Sequence, residues 1–431
     1  MAPSRLLGFK WSTKRVGVDT DDRPTDTTTG STDSAPMPSP LEGLRVVDMG
    51  QVLATPFATY LLHLAGAEVI KIEPKDGEWF RQMGSGLAFA TQNAGKRSIC
   101  IDMRAPEAAE TVLTLIETAD VFVEGFAPGT AEQMGLGWKT VSARNPQIVY
   151  GSLSAFGDTG PYANRPGFDH VVPAVSGIMP ATGFEGQPPT KVGSPYIDYG
   201  SGLLLAFGLM VGLAELRRTG AAVRIDTTML DASLLLNASA VVRAANTGED
   251  PPRTGNDAFS GAVASGAFET ADGLLMVAAN KPAHFLQLAE VLKLTELSDS
   301  PELALPRADP QQVEAARRLM TERFATLPAA HWEAELSAVG IPAARVRTFS
   351  EVTSEGHTQA RGILQPVPAP TATDSSRTVE LPSLGVRVNG VLPVPESLPQ
   401  DAGADTRSIL ENAGFTTEQI DALIESQTVF E

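Results

Sequence analysis

Residues 40–77, PLEGLRVVDMGQVLATPFATYLLHLAGAEVIKIEPKDG, contain one complete strand–helix–strand unit. The β-branched run at residues 44–49 predicts a strand, and a second such run at residues 67–73 predicts another. Between them, Thr55 and Pro56 predict the start of a helix, with threonine as its cap and proline in its first turn. Two apolar strands joined by a helix are typical of a parallel sheet.

The same alternation continues along the chain. Residues 98–103, 119–126 and 147–153 predict further strands, and residues 106–118 predict a helix between two of them. Buried apolar strands that alternate with helices indicate an α/β fold with a parallel, Rossmann-like sheet covered on both faces. A different region begins near Arg253, where residues 265–279 predict a hairpin and residues 311–327 predict a helix capped by Asp309.

The predicted organisation therefore has four parts. Residues 1–39 are rich in Thr, Ser, Asp and Pro without hydrophobic periodicity, which predicts a disordered tail. A large domain is predicted at residues 40–250 and a small α+β domain at residues 251–365. Residues 366–431 are predicted to form a proline-rich linker followed by C-terminal helices, the last of which opens with a capping box at Thr416 and Gln419.

Composition restricts the possible partners. The chain of 431 residues has 33 basic and 51 acidic side chains and a formal net charge of -18, which disfavours nucleic acid and anionic membranes. Cys100 is the only cysteine, so no internal disulfide forms, and a reducing, cytoplasmic location is expected. The apolar run at residues 199–214 carries four glycines and predicts a buried helix rather than a membrane span.

Several chemistries are disfavoured by the absence of their motifs. The five histidines show no metal-ligand spacing, so no metal site is expected, and no GxSxG nucleophile motif occurs. NAGKRS at residues 93–98 lacks the first glycine and the final Ser or Thr of a phosphate-binding P-loop. The chemistry must then rest on carboxylates, hydroxyls or a bound cofactor. Acidic residues at predicted strand–helix junctions are the first candidates: Asp48, Asp169, Asp198, Asp226 and Asp231.

Asp169 differs from the other candidates in its context. Asp198 and Asp231 have the positions of ordinary helix caps. Asp169 lies in GDTGPYANRPGFDHVVPAVSG (residues 157–177), a loop of Gly, Pro and Asn that leads into an apolar helix. Its carboxylate is either a cap of that helix or a group directed into a cleft at the end of the sheet, where α/β proteins bind their ligands.

Several segments resemble the class III CoA-transferases, the family of formyl-CoA and carnitine CoA-transferases that also includes the α-methylacyl-CoA racemases. The resemblance begins in residues 40–77 and continues through NAGKRSICIDMRAPEA, ADVFVEGFAPGTAEQMGLGW, NPQIVYGSLSAFGDTGPYANRPGFDHVVPAVSG, FETADGLLMVAA and GADTRSILENAGFTTEQI. It covers residues 40–427. It implies a large domain, a small domain, a C-terminal segment that returns to the large domain, and an interlocked homodimer.

The resemblance also implies substrates and a binding site. Coenzyme A and its acyl esters are substrates together with carboxylic acids, and no permanently bound cofactor is implied. Two departures from the family pattern concern the adenosine phosphate end of CoA: Gly125 stands where the family often has Asn, and Gln133 where Arg is common. Lys96 and Arg97 would supply positive charge for the CoA phosphates. The positions that match CoA-lining residues of the family are Val52, Leu53, Lys96, Arg97, Phe126, Ala127 and Met134.

Asp169 matches the family's nucleophile, which implies transfer through an aspartyl anhydride and an aspartyl-CoA thioester. The racemases of the family have a histidine immediately before this aspartate, whereas this chain has Phe168 there and His170 on the other side. Phenylalanine cannot remove an α-proton, so transfer is the preferred function and racemisation the alternative. A non-catalytic acyl-CoA-binding protein is a third possibility, which the retention of Asp169 disfavours.

Overall fold

A computed structural model describes residues 39–163, 165–258, 261–298, 300, 303, 309–369 and 374–431. The predicted tail lies outside the described residues except for Ser39. The described strands are β1 (Arg45–Met49), β2 (Glu68–Glu73), β3 (Arg97–Ile101), β4 (Val121–Glu124), β5 (Val149–Ser154), β6 (Val223–Thr228), β7 (Ser265–Glu269), β8 (Leu274–Ala278), β9 (Ala343–Arg345), β10 (Leu364–Pro368), β11 (Thr378–Pro382) and β12 (Val429–Phe430).

Helices alternate with these strands in the first half of the chain and dominate the second half. A 3₁₀ helix spans Trp79–Gly86. The α-helices are α1 (Ala54–Leu64), α2 (Leu87–Asn93), α3 (Ala108–Glu117), α4 (Thr130–Gln133), α5 (Trp138–Arg144), α6 (Val172–Val175), α7 (Ile178–Ala181), α8 (Tyr196–Thr219), α9 (Met229–Leu236), α10 (Ala238–Thr247), α11 (Pro282–Leu292), α12 (Thr295–Ser298), α13 (Pro310–Phe324), α14 (Ala329–Ala338), α15 (Phe349–Ser354), α16 (Gly356–Arg361), α17 (Thr406–Asn412) and α18 (Thr417–Glu425).

The central sheet has the strand order β12-β3-β2-β1-β4-β5-β6. Strands β1 to β6 pair in parallel, and β12 alone joins antiparallel, at the edge beside β3. The chain builds outward from β1 in one direction through β2 and β3, and then in the other through β4, β5 and β6. The direction reverses between β1 and β4, and ligands of open α/β sheets bind beyond the carboxyl ends of the strands at such a point. The predicted α/β class with a parallel sheet is confirmed.

Both faces of the sheet are buried, as the continuous Val- and Ile-rich runs predict. On one face, Val47 of β1 and Phe122 of β4 lie in a core with residues of α3, α17 and α18. On the opposite face, Val46 and Val123 pack with apolar side chains of α1 and α8. Helices α17 and α18, which are far along the chain, therefore pack against the first strands.

Two smaller sheets follow in the chain. The order β7-β8-β9 is antiparallel and has its own hydrophobic cluster, in which Phe268 and Phe285 are buried with residues of α13 and α14. The predicted hairpin and the Asp309 cap of α13 are confirmed. Strands β10 and β11 pair within the proline-rich segment that was expected to be extended. The capping box at Thr416 and Gln419 is also confirmed. The predicted domain boundaries stay a prediction.

Two local expectations were wrong or incomplete. Thr55 does not cap α1, because the helix begins at Ala54 and Leu53 takes the capping place without a side-chain hydrogen bond. The strands β6 and β12 were not predicted. Both lie at sheet edges, where β6 alternates between partly buried and exposed residues and β12 has only two residues, so neither shows the apolar run of a central strand.

Helix α8 is buried on one side only. A Cβ added at Gly208 would come within 2.8 Å of Ile225, and one added at Gly212 would come within 2.7 Å of Val149. The close packing of the helix on the sheet therefore requires glycine at both positions. Its other side exposes Leu203 and Phe207. Among the described residues, α8 is the one helix long and apolar enough to cross a bilayer, and its packing against the sheet agrees with the expectation of no membrane span.

Candidate active site

A groove lies at the carboxyl ends of β1, β2, β3 and β4, at the point where the sheet reverses direction. Its volume is about 250 Å³. The predicted CoA residues Phe126 and Met134 line it, and so does Gln51, which precedes the predicted Val52. The groove is lined by Met49, Gln51, Ile72, Glu73, Pro74, Lys75, Ile101, Asp102, Met103, Arg104, Phe126 and Met134.

Two exposed cations at the mouth of this groove were not predicted from the sequence. Lys75 follows β2 and Arg104 follows β3, so both lie at the carboxyl edge of the sheet. Arg104 forms an ion pair of 2.8 Å with Asp102 and keeps most of its side chain exposed. Their positions after two strand ends are the sequence signal that could have identified them, because ligands of parallel sheets gather there.

The two departures from the family pattern lie on the other side of the groove. Gly125 follows β4, and a Cβ at this position would come within 2.6 Å of Thr55 Oγ1. The side chain of Thr55 therefore occupies the space that an asparagine at position 125 would need. Ala127 and Phe126 line a small polar cleft with Glu124, whose burial raises its pKa to about 7. Gln133 ends α4 and is exposed.

Lys96 lies beneath the groove rather than in it. Its side chain is 1% exposed, and Nζ donates to Asp48 Oδ2 at 2.9 Å, Thr59 Oγ1 at 2.8 Å and Asn93 Oδ1 at 2.9 Å. A fourth bond goes to the Pro56 carbonyl at 2.9 Å. Burial lowers the pKa of Lys96 to about 8 despite the neighbouring Asp48. With all its donors engaged inside the protein, this ammonium group has no contact left for a CoA phosphate.

Arg97 is also engaged in internal contacts. Its guanidinium donates to Glu68 Oε1 at 2.7 Å and to Ser408 Oγ at 2.8 Å. Arg97 begins β3, and Glu68 begins β2, so this ion pair lies at the amino edge of the parallel strands. The groove lies at the opposite, carboxyl edge. The structure therefore places Arg97 away from Phe126 and Met134, although all three were predicted to line the CoA site.

The loop between β1 and α1 is fixed by buried charges. Asp48 Oδ1 accepts from the Gly50 N–H at 2.7 Å, and Lys71 Nζ donates to the Gly50 carbonyl at 2.8 Å. Lys71 also pairs with Glu78 at 2.9 Å, and both side chains are 2% exposed. Glu78 Oε1 accepts from the Val52 N–H. Val52 has a φ of 66°, a left-handed conformation that costs a non-glycine residue about 1–3 kcal/mol.

Asp169 caps a helix, but not the helix that follows it in the chain. Its Oδ2 accepts from the N–H groups of Ile197 and Asp198, at 2.9 and 3.1 Å. Both belong to the first turn of α8, about 28 residues away in sequence. Among the described residues no donor reaches Oδ1 of Asp169. One carboxylate oxygen is therefore held at the positive end of a 24-residue helix while the other is available.

Packing of α8 on α1 brings Asp169 to the same edge as the β1–α1 loop. The rings of Tyr199 and Phe57 meet edge to face with centroids 4.9 Å apart. One turn further along α8, Gly202 lies so close to the carbonyl of Ala54 that a Cβ would come within 2.6 Å of it. The first turns of both helices therefore lie side by side. Asp169 contacts the first turn of α8, and Leu53 directly precedes α1.

Asp198 and Asp169 form a pair of neighbouring carboxyl groups. Burial, together with the negative charge of Asp169, raises the pKa of Asp198 to about 7. Asp198 therefore holds its proton to a higher pH than an ordinary aspartate does. Phe168 is 63% exposed and stacks on the His170 ring with centroids 6.1 Å apart. No base thus stands at the position before Asp169.

The raised pKa of Asp198 predicts a pH-dependent effect of Asp198→Asn on stability. A carboxyl group whose folded pKa is raised contributes stability below its ordinary pKa of 3.8, and this contribution is lost as pH rises through about 7. The Asp198→Asn variant has no carboxyl group to titrate at this position, so it does not lose this stability as pH rises. We expect its melting temperature, relative to the unmodified protein, to increase steadily from pH 4 to pH 8. Asp231→Asn, at an exposed carboxylate in the first turn of α9, controls for the lost charge, and a difference independent of pH would contradict the assignment.

The chain is similar in sequence to known proteins. Residues 41–406 match the sequence pattern of CoA-transferase family III. The chain is 32% identical to the mouse succinyl-CoA:glutarate CoA-transferase over 381 residues, 86% of each protein. It is 33% identical to the succinyl-CoA–D-citramalate CoA-transferase of Chloroflexus aurantiacus, over 82% of this chain and 90% of that one.

A solved structure shares the fold. The crystal structure of a CaiB/BaiF family protein from Brucella suis superposes with a TM-score of 0.78 at 28% identity, and covers 87% of this chain and 100% of that chain. The sequence comparisons and this superposition agree on the family of the chain. The chain belongs to CoA-transferase family III and is a CoA-transferase.

Proposed function

We propose that Asp169 carries the acyl group and then CoA in turn. Its free oxygen, Oδ1, attacks the thioester carbonyl of the donor, which gives a mixed anhydride and releases CoA thiolate. The thiolate attacks the Asp169 carbonyl, which forms an aspartyl-CoA thioester and releases the donor acid. The acceptor carboxylate attacks this thioester to form a second anhydride, and the returning thiolate takes the acceptor acyl group and frees Asp169.

The helix cap of Asp169 supports this sequence and is the observation that carries it. Once Oδ1 is acylated, Oδ2 becomes the carbonyl oxygen, and it already accepts from the Ile197 and Asp198 N–H groups. Negative charge develops on that oxygen each time a nucleophile attacks the aspartyl carbonyl. Two backbone donors and the positive end of α8 are in place to stabilise it without reorganisation. The cap and the nucleophile are thus two roles of one carboxylate.

We propose that CoA lies along the groove, with Val52, Leu53, Phe126, Ala127 and Met134 as neighbours. The charge for the phosphates would come from Lys75 and Arg104, since Lys96 and Arg97 are engaged elsewhere. Lys96 supports the loop from below through Asp48 and the Pro56 carbonyl. Two exposed cations would thus be available to the phosphates in a protein whose net charge is -18, with Glu73 and Asp102 also lining the groove.

Two variants distinguish a loss of turnover from a loss of CoA binding. Asp169→Asn preserves the shape and the cap, so we expect turnover to fall by about a thousandfold or more while CoA affinity persists. Lys75→Met combined with Arg104→Met should weaken CoA binding about tenfold or more, because charge-assisted contacts to phosphate are lost, with a smaller effect on kcat. Calorimetric titration of CoA and steady-state assays measure both.

The control for these variants is Asp231→Asn, at the first turn of another helix, which should retain full activity. Trapping with hydroxylamine after incubation of the unmodified protein with an acyl-CoA should label Asp169. Near-normal turnover of Asp169→Asn, or a label on another carboxylate, would refute the covalent route. Exchange of the α-proton of a 2-methylacyl-CoA in heavy water, without an acceptor acid, would favour the racemase alternative.

The acids are proposed to be dicarboxylates with succinyl-CoA as donor. The mouse and Chloroflexus relatives are named as transferases that use succinyl-CoA with glutarate and with D-citramalate, and each of these acids carries a second carboxylate. Such a substrate needs a cation near the nucleophile. Lys191 lines a small pocket together with Asp169, Val192 and Tyr196, and its ammonium group donates only to the carbonyl of Val192 at 2.7 Å among described contacts.

A substrate screen tests the proposed acid class. Succinyl-CoA with four- to six-carbon dicarboxylates should give turnover, and monocarboxylates of equal length should give a KM higher by about tenfold, the loss of one charged contact. Lys191→Met should remove this discrimination, whereas the exposed Arg217→Met, in the last turn of α8, should preserve it. Equal KM values for both classes with the unmodified protein would refute the proposal.

The protein is further proposed to be a homodimer of the interlocked type that the family resemblance implies. Helices α8, α9 and α10 each expose apolar side chains, and a second copy would cover them. Light scattering across a dilution series should give twice the chain mass of 45.4 kDa throughout, and a folded monomer would contradict the proposal. The exposed residues are Leu203, Phe207, Met210, Val211, Leu235, Leu236 and Val242.

A further inference from the structure

The sequence from β2 to the 3₁₀ helix carries a lysine and a glutamate that no step above uses. Lys71 lies within β2, where both neighbouring side chains in the strand are apolar, and Glu78 precedes Trp79 at the start of the 3₁₀ helix. Their side chains are 2% exposed and pair at 2.9 Å. Removing two charges from water costs free energy that such a pair recovers only with good geometry and further hydrogen bonds.

The further bonds of this pair all go to one loop. Lys71 Nζ donates to the Gly50 carbonyl at 2.8 Å, and Glu78 accepts from the N–H of Val52. Gly50 and Val52 both belong to the four-residue connection between β1 and α1. The pair therefore binds the connection at Gly50 and Val52, the two neighbours of Gln51, and Gln51 lines the groove.

Val52 is the residue of the loop that needs these hydrogen bonds. Its φ of 66° lies in the left-handed region, where a β-branched side chain is strained. Such a conformation persists only where the surrounding structure determines it. Without an acceptor for its N–H at Glu78, the connection would relax to an ordinary backbone conformation. Relaxation would move Val52 and Leu53 relative to the groove and to Asp169.

We propose that Lys71 and Glu78 are positioning residues, which hold Val52 in its left-handed conformation so that the β1–α1 loop is preformed for the CoA thioester. The proposal rests on the proposed function, since the loop is assigned to CoA binding there. Neither side chain touches substrate. Their contribution is to avoid the loss of affinity that ordering the loop on binding would cause.

The test replaces both charges by apolar side chains of similar length, Lys71→Met with Glu78→Met. Replacement of a whole buried pair is often neutral for stability, unlike removal of one partner. We expect a melting temperature close to that of the unmodified protein and a KM for succinyl-CoA raised by about tenfold or more, as relaxation of the strained residue implies. The control is Arg347→Met with Glu333→Met, which removes a part-buried ion pair of 2.9 Å next to β9, together with the contact of Arg347 to Glu355, and should leave KM unchanged.

Adding glycine at position 52 tests whether the pair acts by positioning the loop or only by stabilising the protein. Glycine adopts a positive φ without strain, so adding Val52→Gly to the double variant should restore most of the affinity lost. Val52→Gly alone provides the reference, because it removes the valine contact in both backgrounds. A KM unchanged in the double variant, or a loss that Val52→Gly does not restore, would overturn the proposal.

Amide hydrogen exchange distinguishes this proposal from the proposed function. In the absence of any ligand, the Val52 amide should exchange slowly in the unmodified protein and much faster in the double variant, because its acceptor is gone. This result does not depend on whether the protein transfers CoA through Asp169. Equal exchange in both proteins would overturn the positioning role. If the two proteins differ in exchange but the unmodified protein transfers no CoA, only the proposed function is overturned.

Discussion

The structure depends on a group of buried charges from strands β1 and β2, from the residue before β3 and from the residue before the 3₁₀ helix. Asp48, Lys71, Glu73, Glu78 and Lys96 are all almost completely enclosed, and each finds an opposite charge or a backbone group as partner. Burial acts to raise the pKa of Asp48, yet Lys96 and Lys71 hold that pKa below its ordinary value. Because an unpaired charge in this position would be costly, few arrangements of the strands and loops satisfy all five groups.

This constraint reaches the chemistry through two helices. The charges fix the loop before α1, and α1 in turn forms the surface on which the first turn of α8 packs through Gly202 and Tyr199. The start of α8 holds Asp169 by two backbone N–H groups. A carboxylate from a glycine- and proline-rich segment thus acquires a fixed orientation from rigid elements. Catalytic groups on loops need such support if their geometry is to be precise.

The position of α1 explains one departure from the family pattern. Gly125 has no room for a side chain because Thr55 of α1 occupies that space. The proposed CoA site therefore relies on groups other than the asparagine that the family often has at this position. Lys75 and Arg104 are the exposed cations at the groove. Meanwhile the apolar outer side of α8 lacks any covering element among the described residues, which is the physical reason to expect a second copy.

The sequence by itself determined the strands β1 to β5, the helices α1 and α3 and the parallel α/β class, since apolar runs act locally. It also singled out Asp169, and the family resemblance gave the reaction. Tertiary structure alone decided what Lys96 does, because the four acceptors around its ammonium group come from separate parts of the chain. It likewise decided which helix Asp169 caps, since the donors lie 28 and 29 residues away. Charge pairing and capping at such separations depend on distances in space, which residue spacing does not encode.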